Sequence, residues 1–295
     1  MKGLGHVPFG KAWHVLVTAF NGWLEDRAAS MGAAIAFYTL FSMAPMLLLI
    51  IAITGLVFGP EAAQGALMGQ LQGMMGREGA AALQAMIASA GKPVSGTIAT
   101  VVAIVTLIVG ATTVFAELQS SLNVIWKAQP PTGSSVVWLV KVRLLSLSLI
   151  GAIGFLLLVS LVVSAALAAL SDYLAGIMPG LDLMMQVANL VISLAVVTTL
   201  FAMIYKMLPD ARIPWRDVWF GAFITAVMFS IGKLLISLYL GSSNIASAYG
   251  AAGALVIVLM WVYYSAQIFL FGAEITWAFS LTHGSRAGRR AQPAA

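Results

Sequence analysis

The sequence predicts an all-α fold: a polytopic membrane helical bundle with six transmembrane helices, an N-terminal interfacial helix and amphipathic helices in the first external loop. Three observations predict it. The 295 residues are 61% hydrophobic and 8% charged, which leaves too little polar side-chain surface to cover an ordinary soluble domain. The apolar residues gather in six segments, near 31–57, 97–124, 144–170, 184–208, 218–240 and 248–281, each long enough for the roughly 20 residues that span a bilayer's hydrocarbon. The connections between them alternate between many and few basic residues.

Ahead of the first segment, Phe9, Trp13, Val17, Phe20 and Leu24 recur at helical spacing. That stripe predicts an amphipathic helix lying in the interface, with its aromatic groups among the headgroups. The first span opens on small residues, Ser30, Gly32, Ala33, Ala34 and Ala36, and carries Pro45. Proline cannot donate its backbone hydrogen bond to Phe41, so a kink is expected there. The connection 58–96 holds Leu67, Leu71, Met74 and Met75, then Leu83, Met86 and Ile87 beyond Gly76 and Gly79. Two short amphipathic helices separated by a glycine-containing turn are expected in it. Pro130-Pro131-Thr132-Gly133 marks a turn after span two, and a second external loop falls near 171–183. Ser247 through Gly253, including Tyr249 and Gly250, permits close packing or a hinge at the entrance to span six. The whole reads as one transmembrane domain, 1–283, with the external insertion 58–96 and a flexible basic cytoplasmic tail at 284–295.

The fifteen Lys and Arg residues set the orientation. Lys2, Lys11 and Arg27 precede span one. Lys127, Lys141 and Arg143 lie between spans two and three, Lys206, Arg212 and Arg216 between four and five, and Arg286, Arg289 and Arg290 after six. The other side holds Arg77 and Lys92, and Lys233 is inside span five. The positive-inside rule then places both termini in the cytoplasm, and the net charge of +5 is a topology signal with no nucleic-acid partner implied.

Charges inside spans cost several kcal/mol each when uncompensated, so they mark candidate sites. Glu117 shares a polar face of span two with Thr106, Gly110 and Thr113; Lys233 lies deep in span five near Ser230 and Ser237; Glu274 shares a face of the last span with Tyr263 and Gln267. A Glu117–Lys233 or a Glu274–Lys233 ion pair is the expected compensation, with Lys233 otherwise free to attract an anionic group. Asn123, at the cytoplasmic end of span two, is placed to hydrogen-bond across helices. Pro45, Tyr249 and Gly250 complete the candidate binding and gating set.

Enzymatic chemistry is not expected. Cysteine is absent, the three histidines, His6, His14 and His283, fall near the two ends of the chain, and no phosphate-binding glycine loop or carboxylate pair at metal-ligand spacing occurs. No cofactor and no metal are implied.

In order along the chain stand Ala34-Ile35-Ala36-Phe37-Tyr38 with Ser42 and Pro45; Leu122-Asn123-Val124-Ile125-Trp126; Tyr205-Lys206-Met207-Leu208-Pro209; Tyr249-Gly250-Ala251-Ala252-Gly253; and Trp261-Val262-Tyr263-Tyr264 followed by Phe271-Gly272-Ala273-Glu274. With this succession the chain, over roughly 12–283, resembles the YihY/BrkB family of bacterial inner-membrane proteins. The resemblance implies a helical inner-membrane protein. A ribonuclease label once attached to that family implies an RNA-binding surface and a catalytic cluster, and this sequence offers neither. The expected function is secondary transport or lipid handling of an amphipathic or anionic substrate, with Lys233 attracting the anion and Glu117 or Glu274 balancing charge or exchanging a proton. The alternative is a nontransporting membrane scaffold or envelope-assembly factor. Membrane lipids are the expected partners, and small interhelical residues allow a homo-oligomer.

Overall fold

The computed structural model describes residues 9–90, 97–128, 140, 143–156, 159, 182–242, 253–282 and 284–285. The elements are α1 (Phe9–Glu25), α2 (Ala28–Phe58), α3 (Pro60–Ala90), α4 (Thr97–Ile125), α5 (Arg143–Leu156), α6 (Asp182–Met207), α7 (Trp215–Ser242) and α8 (Gly253–Thr282). Among the described residues there is no strand. In a bilayer every backbone N–H and C=O must be satisfied within the segment, which helices do alone.

Five of these helices are long and apolar enough to cross a membrane, through Ala28–Leu56, Ile104–Ile125, Val187–Met207, Trp215–Ile236 and Leu255–Thr282. Six were expected. The difference falls on 144–170, of which the described residues hold one shorter apolar helix, Arg143–Leu156. Residues 160–181 lie outside the described set, as do Tyr249, Gly250 and, apart from 284–285, the basic tail.

The insertion 58–96 also differs from expectation. One continuous helix, α3, runs through Gly76 and Gly79 in place of two short ones. A glycine inside a helix costs only about 1 kcal/mol, and α3 is supported by packing: Ala63, Leu83 and Ile87 are buried in one cluster with Met43, Leu47 and Ile51 of α2 and Val258 and Val262 of α8. The turn into it is made by Gly59, whose φ of +84° suits a residue without Cβ, and Pro60 starts the helix where its missing N–H is harmless.

Antiparallel pairs build the bundle. α2 packs on α4, with Pro45 inside an uninterrupted helix and its ring opposite Gly110, where a Cβ would lie 3.1 Å from Pro45 Cγ. α7 packs on α8 by reciprocal insertion: Thr276 of α8 sits over Gly221, and Thr225 of α7 sits over Gly272. The missing side chains let the backbones approach, as in membrane helix interfaces generally. Tyr205 of α6 locks this pair, its hydroxyl donating to Phe269 O at 2.7 Å and lying 3.1 Å from Thr225 Oγ1. Around it Val114, Phe115, Leu122, Leu208, Val218 and Leu270 form the main core. Leu56, Leu190, Ile231, Leu234 and Leu238 are exposed, as expected of side chains whose solvent is lipid.

Candidate functional site

Polar contacts concentrate at one end of the bundle, where the α1–α2 corner, the end of α4, the α6–α7 connection and the end of α8 meet. Two non-glycine residues there adopt left-handed backbone, Arg27 (φ 54°) and Lys127 (φ 49°). Such residues are uncommon, and strain of this kind gathers at functional positions. Arg27 turns the chain between α1 and α2, its carbonyl accepting from the N–H groups of Ser30 and Met31. Lys127 caps α4: its N–H donates to Val124 O, and that of Ala128 to Asn123 O at 2.9 Å, a Schellman pattern with lysine in the usual glycine position.

These two corners bring Asp26 and Lys127 together as an ion pair, with the Asp26 side chain 9% exposed and that of Lys127 55%. Glu274 of α8 lies beside them, within electrostatic reach of Asp26, Lys127 and Glu25. It is 1% exposed. Its carboxylate is covered by Gly22 of α1, where a Cβ would come within 2.5 Å of Oε2, so only glycine allows α1 to close over it. Among the described residues, Glu274 Oε1 has no hydrogen-bond partner although it is buried.

Seven residues earlier on the same face of α8, Gln267 presents Nε2 to the carbonyls of Ala28 and Ala29, each at 3.5 Å, while its buried Oε1 has no partner among the described residues. Gly32 of α2 makes room for that amide. Thus α8 presents two side chains, each with an unpaired acceptor oxygen, to the α1–α2 corner.

Asn123 is the centre of a second cross-link. Its Nδ2 donates to Asp210 Oδ2 at 3.1 Å and its Oδ1 accepts from Asp210 N at 2.8 Å, while Gln119 Nε2 donates to the same Asp210 oxygen at 3.0 Å. The expectation of an interhelical role for Asn123 meets a loop partner instead. A third tie joins the ends of α7 and α8: buried Asp217 accepts from Ser285 N at 3.1 Å and Ser285 Oγ at 2.8 Å. Lys206 donates to Ile213 O, and its Nζ lies 5.5 Å from the centre of the Trp215 ring.

Of the expected site residues, the structure brings Glu274 and Gln267 to this centre and places Asn123 beside it. Neither expected ion pair of Lys233 forms: among the described residues the single salt bridge is Lys127–Asp26. Gly232 faces Tyr264 and Ile268, so Lys233 stands level with that part of α8, while Glu274 is ten residues on from Tyr264, about 15 Å along the axis. Lys233 is half-buried beside exposed Ile231, Leu234 and Leu235. Glu117 is half-buried on α4, and Tyr263 is 38% exposed, away from the interior. Pro45 belongs to the α2–α4 contact. Asp26, Lys127 and Asp210 carried no local pattern that set them apart from loop charges. Arg143, expected in a loop, instead donates from Nη1 to Val109 O and Thr112 Oγ1 of α4.

Among the described residues no three His, Asp or Glu side chains are grouped to hold a metal. The family model described as "Virulence factor BrkB" matches residues 19–295. The chain is 30% identical over 266 residues to a UPF0761 membrane protein of Pseudomonas paraeruginosa, covering 86% of this chain and 59% of that one. A UPF0761 membrane protein of Alcanivorax borkumensis is 28% identical over 90% of this chain and 59% of its own. UPF0761 membrane protein YihY of Salmonella arizonae is 32% identical over 58% of this chain and 56% of its own. The chain therefore spans less than two thirds of the length of these relatives. No solved structure matches it.

Proposed function

The chain belongs to the BrkB family of membrane proteins, and from that premise we propose that it is a secondary transporter or lipid-handling protein for an amphipathic or anionic substrate, with Glu274 as its coupling group. The observation that carries this reading is the buried Glu274 carboxylate, with one oxygen unpaired, beside Asp26 and a single ammonium group, that of Lys127. A buried ionisable group inside a long apolar helix is costly and marks ion or substrate pathways. Exchange of a proton at Glu274 changes the charge of the corner that joins α1, α2, α4 and α8, which is how a coupling ion biases one arrangement of a bundle over another. The family carries no assigned catalytic activity, and transport requires no covalent step.

In this reading the polar end faces the cytoplasm. The grouping of Arg27, Lys127, Lys206, Arg212 and Arg216 at that end supports it. Helix α1 would lie in the interface: Trp13, Phe20 and Leu24 are exposed on one side and His14, Asn21 and Glu25 on another, while Val15 and Ala19 are buried in a cluster with Ile275 and Ala278 of α8. The same exposed apolar side of α1 favours the second reading, a nontransporting scaffold whose partner docks there.

Reconstitution separates the two. In vesicles of phosphatidylethanolamine and phosphatidylglycerol carrying a fluorescent phosphatidylglycerol, an imposed pH gradient should drive redistribution between leaflets with the wild type, and Glu274→Gln should abolish the dependence on the gradient. Equal rates for wild type, variant and protein-free vesicles would discard lipid transport.

A further inference from the structure

Arg143 is held against α4 by neutral groups, with no carboxylate paired to it among the described residues. Its two hydrogen bonds both leave from Nη1, to Val109 O at 3.2 Å and to Thr112 Oγ1 at 2.6 Å. Both acceptors are neutral: Val109 O also accepts from Thr113 Oγ1 at 2.7 Å, and Thr112 Oγ1 donates its own hydrogen to Ile108 O at 2.7 Å, which leaves its lone pairs to Arg143. A guanidinium has five N–H donors. The Nε–Nη2 edge, which matches two oxygens of an oxyanion at once, has no partner among the described residues, and no carboxylate there forms a salt bridge with it. The nearest acid in sequence on α4, Glu117, is five residues beyond Thr112, about 7.5 Å along the axis.

Val109 lies five residues, about 7.5 Å, inside the apolar stretch Ile104–Ile125 of α4 and sixteen residues, about 24 Å, from its other end, so the guanidinium is held against the apolar part of α4 and well away from the polar end of the bundle. Arg143 is half-buried, leaving the unpaired edge an approach, and buried Leu149 and Ile150 of α5 fix the helix that carries it.

We propose that Arg143, pinned through Nη1 by Thr112 and Val109, is the recognition group of an intramembrane site for a phosphate oxyanion. A phospholipid headgroup held here is drawn against the apolar part of α4, and the inference rests on the transport reading for what becomes of the bound anion, though not for binding itself. Retention of phosphatidylglycerol by the detergent-purified protein, followed by native mass spectrometry, tests it. Wild type should retain the lipid. Arg143→Gln should lose about tenfold or more, and Arg143→Lys, which keeps the charge without the fork, should lose at least several-fold. Displacement by excess inorganic phosphate identifies free phosphate as the natural occupant; resistance to it identifies the headgroup.

Wild-type retention by Arg143→Lys overturns the bidentate site, and retention by a folded Arg143→Gln overturns the site altogether. Arg143-dependent retention without leaflet redistribution sinks the transport reading alone. Redistribution without Arg143-dependent retention sinks this inference alone.

Discussion

At the end of the bundle where α1 meets α2, polar side chains tie elements far apart in sequence: Lys127 to Asp26, Asn123 and Gln119 to Asp210, Asp217 to Ser285. Toward Gly59 and α3 the described contacts are apolar, through Leu47, Leu83, Ile87 and Val262, and among the described residues Lys233 forms no salt bridge. Asp210 and Asp217 at the first end are each held by two donors, and that end is where the turns of the chain converge. The other end is closed by shape. Interhelical positions are therefore fixed by hydrogen bonds at one end and by glycine-sized contacts along the rest, and a charge left outside the polar network, such as Glu274 Oε1 or Arg143, is the exception that calls for a ligand or a proton.

The largest effect should come from the shape-fitted contacts. Gly272→Val drives a branched side chain into Thr225 and Tyr205, which a hypothetical Cβ already crowds, and overpacking of this kind costs roughly 3 kcal/mol. Thermal unfolding in detergent, followed by tryptophan fluorescence, should show the steepest loss of any variant here; an unchanged midpoint would mean that α7 and α8 can slide apart freely. Tyr205→Phe removes the hydroxyl that bonds Phe269 O and Thr225 and should cost about 1–2 kcal/mol. Asn123→Ala unties Asp210 at a more exposed site, for about 1 kcal/mol, and should raise protease sensitivity of the 208–214 connection specifically. If cleavage there stays at the wild-type rate, the cross-link does not hold the loop.

Smaller still is the gain expected at a strained corner. Arg27→Gly relieves positive φ at an exposed side chain and should stabilise by up to about 1 kcal/mol, whereas Lys127→Gly relieves the same strain while stripping Asp26 of its partner, so it should gain less. Equal gains would show that the ion pair contributes nothing. At the other end Lys233→Gln should change stability by no more than about 0.5 kcal/mol, because Lys233 has no ion pair among the described residues; a large loss would reveal one.

Much of the plan was legible without coordinates. Continuous apolar runs identify membrane helices because hydrocarbon demands them, and Glu274 and Gln267 stood out as polar residues in such a run. Their partners did not. Asp26, Lys127 and Asp210 look like ordinary loop charges, since nothing local encodes that two left-handed corners will carry them to α8. Lys233 drew attention through its isolation in span five, yet its expected partners lie elsewhere along their helices, a matter of register between elements. Arg143 sits at the edge of an apolar segment, where sequence alone favours a loop, and its contact with Val109 and Thr112 depends on how α5 lies against α4.

By itself the sequence determined the all-helical membrane architecture, the position of five long spans and the clustering of basic residues between them, because hydropathy and charge act on each segment independently of the others. Tertiary structure alone decided which charges meet, that α3 is one helix, and that Arg143 faces the middle of α4. Those depend on the register and close approach of helices distant in sequence, where a single glycine opposite a carboxylate or a threonine sets the distance.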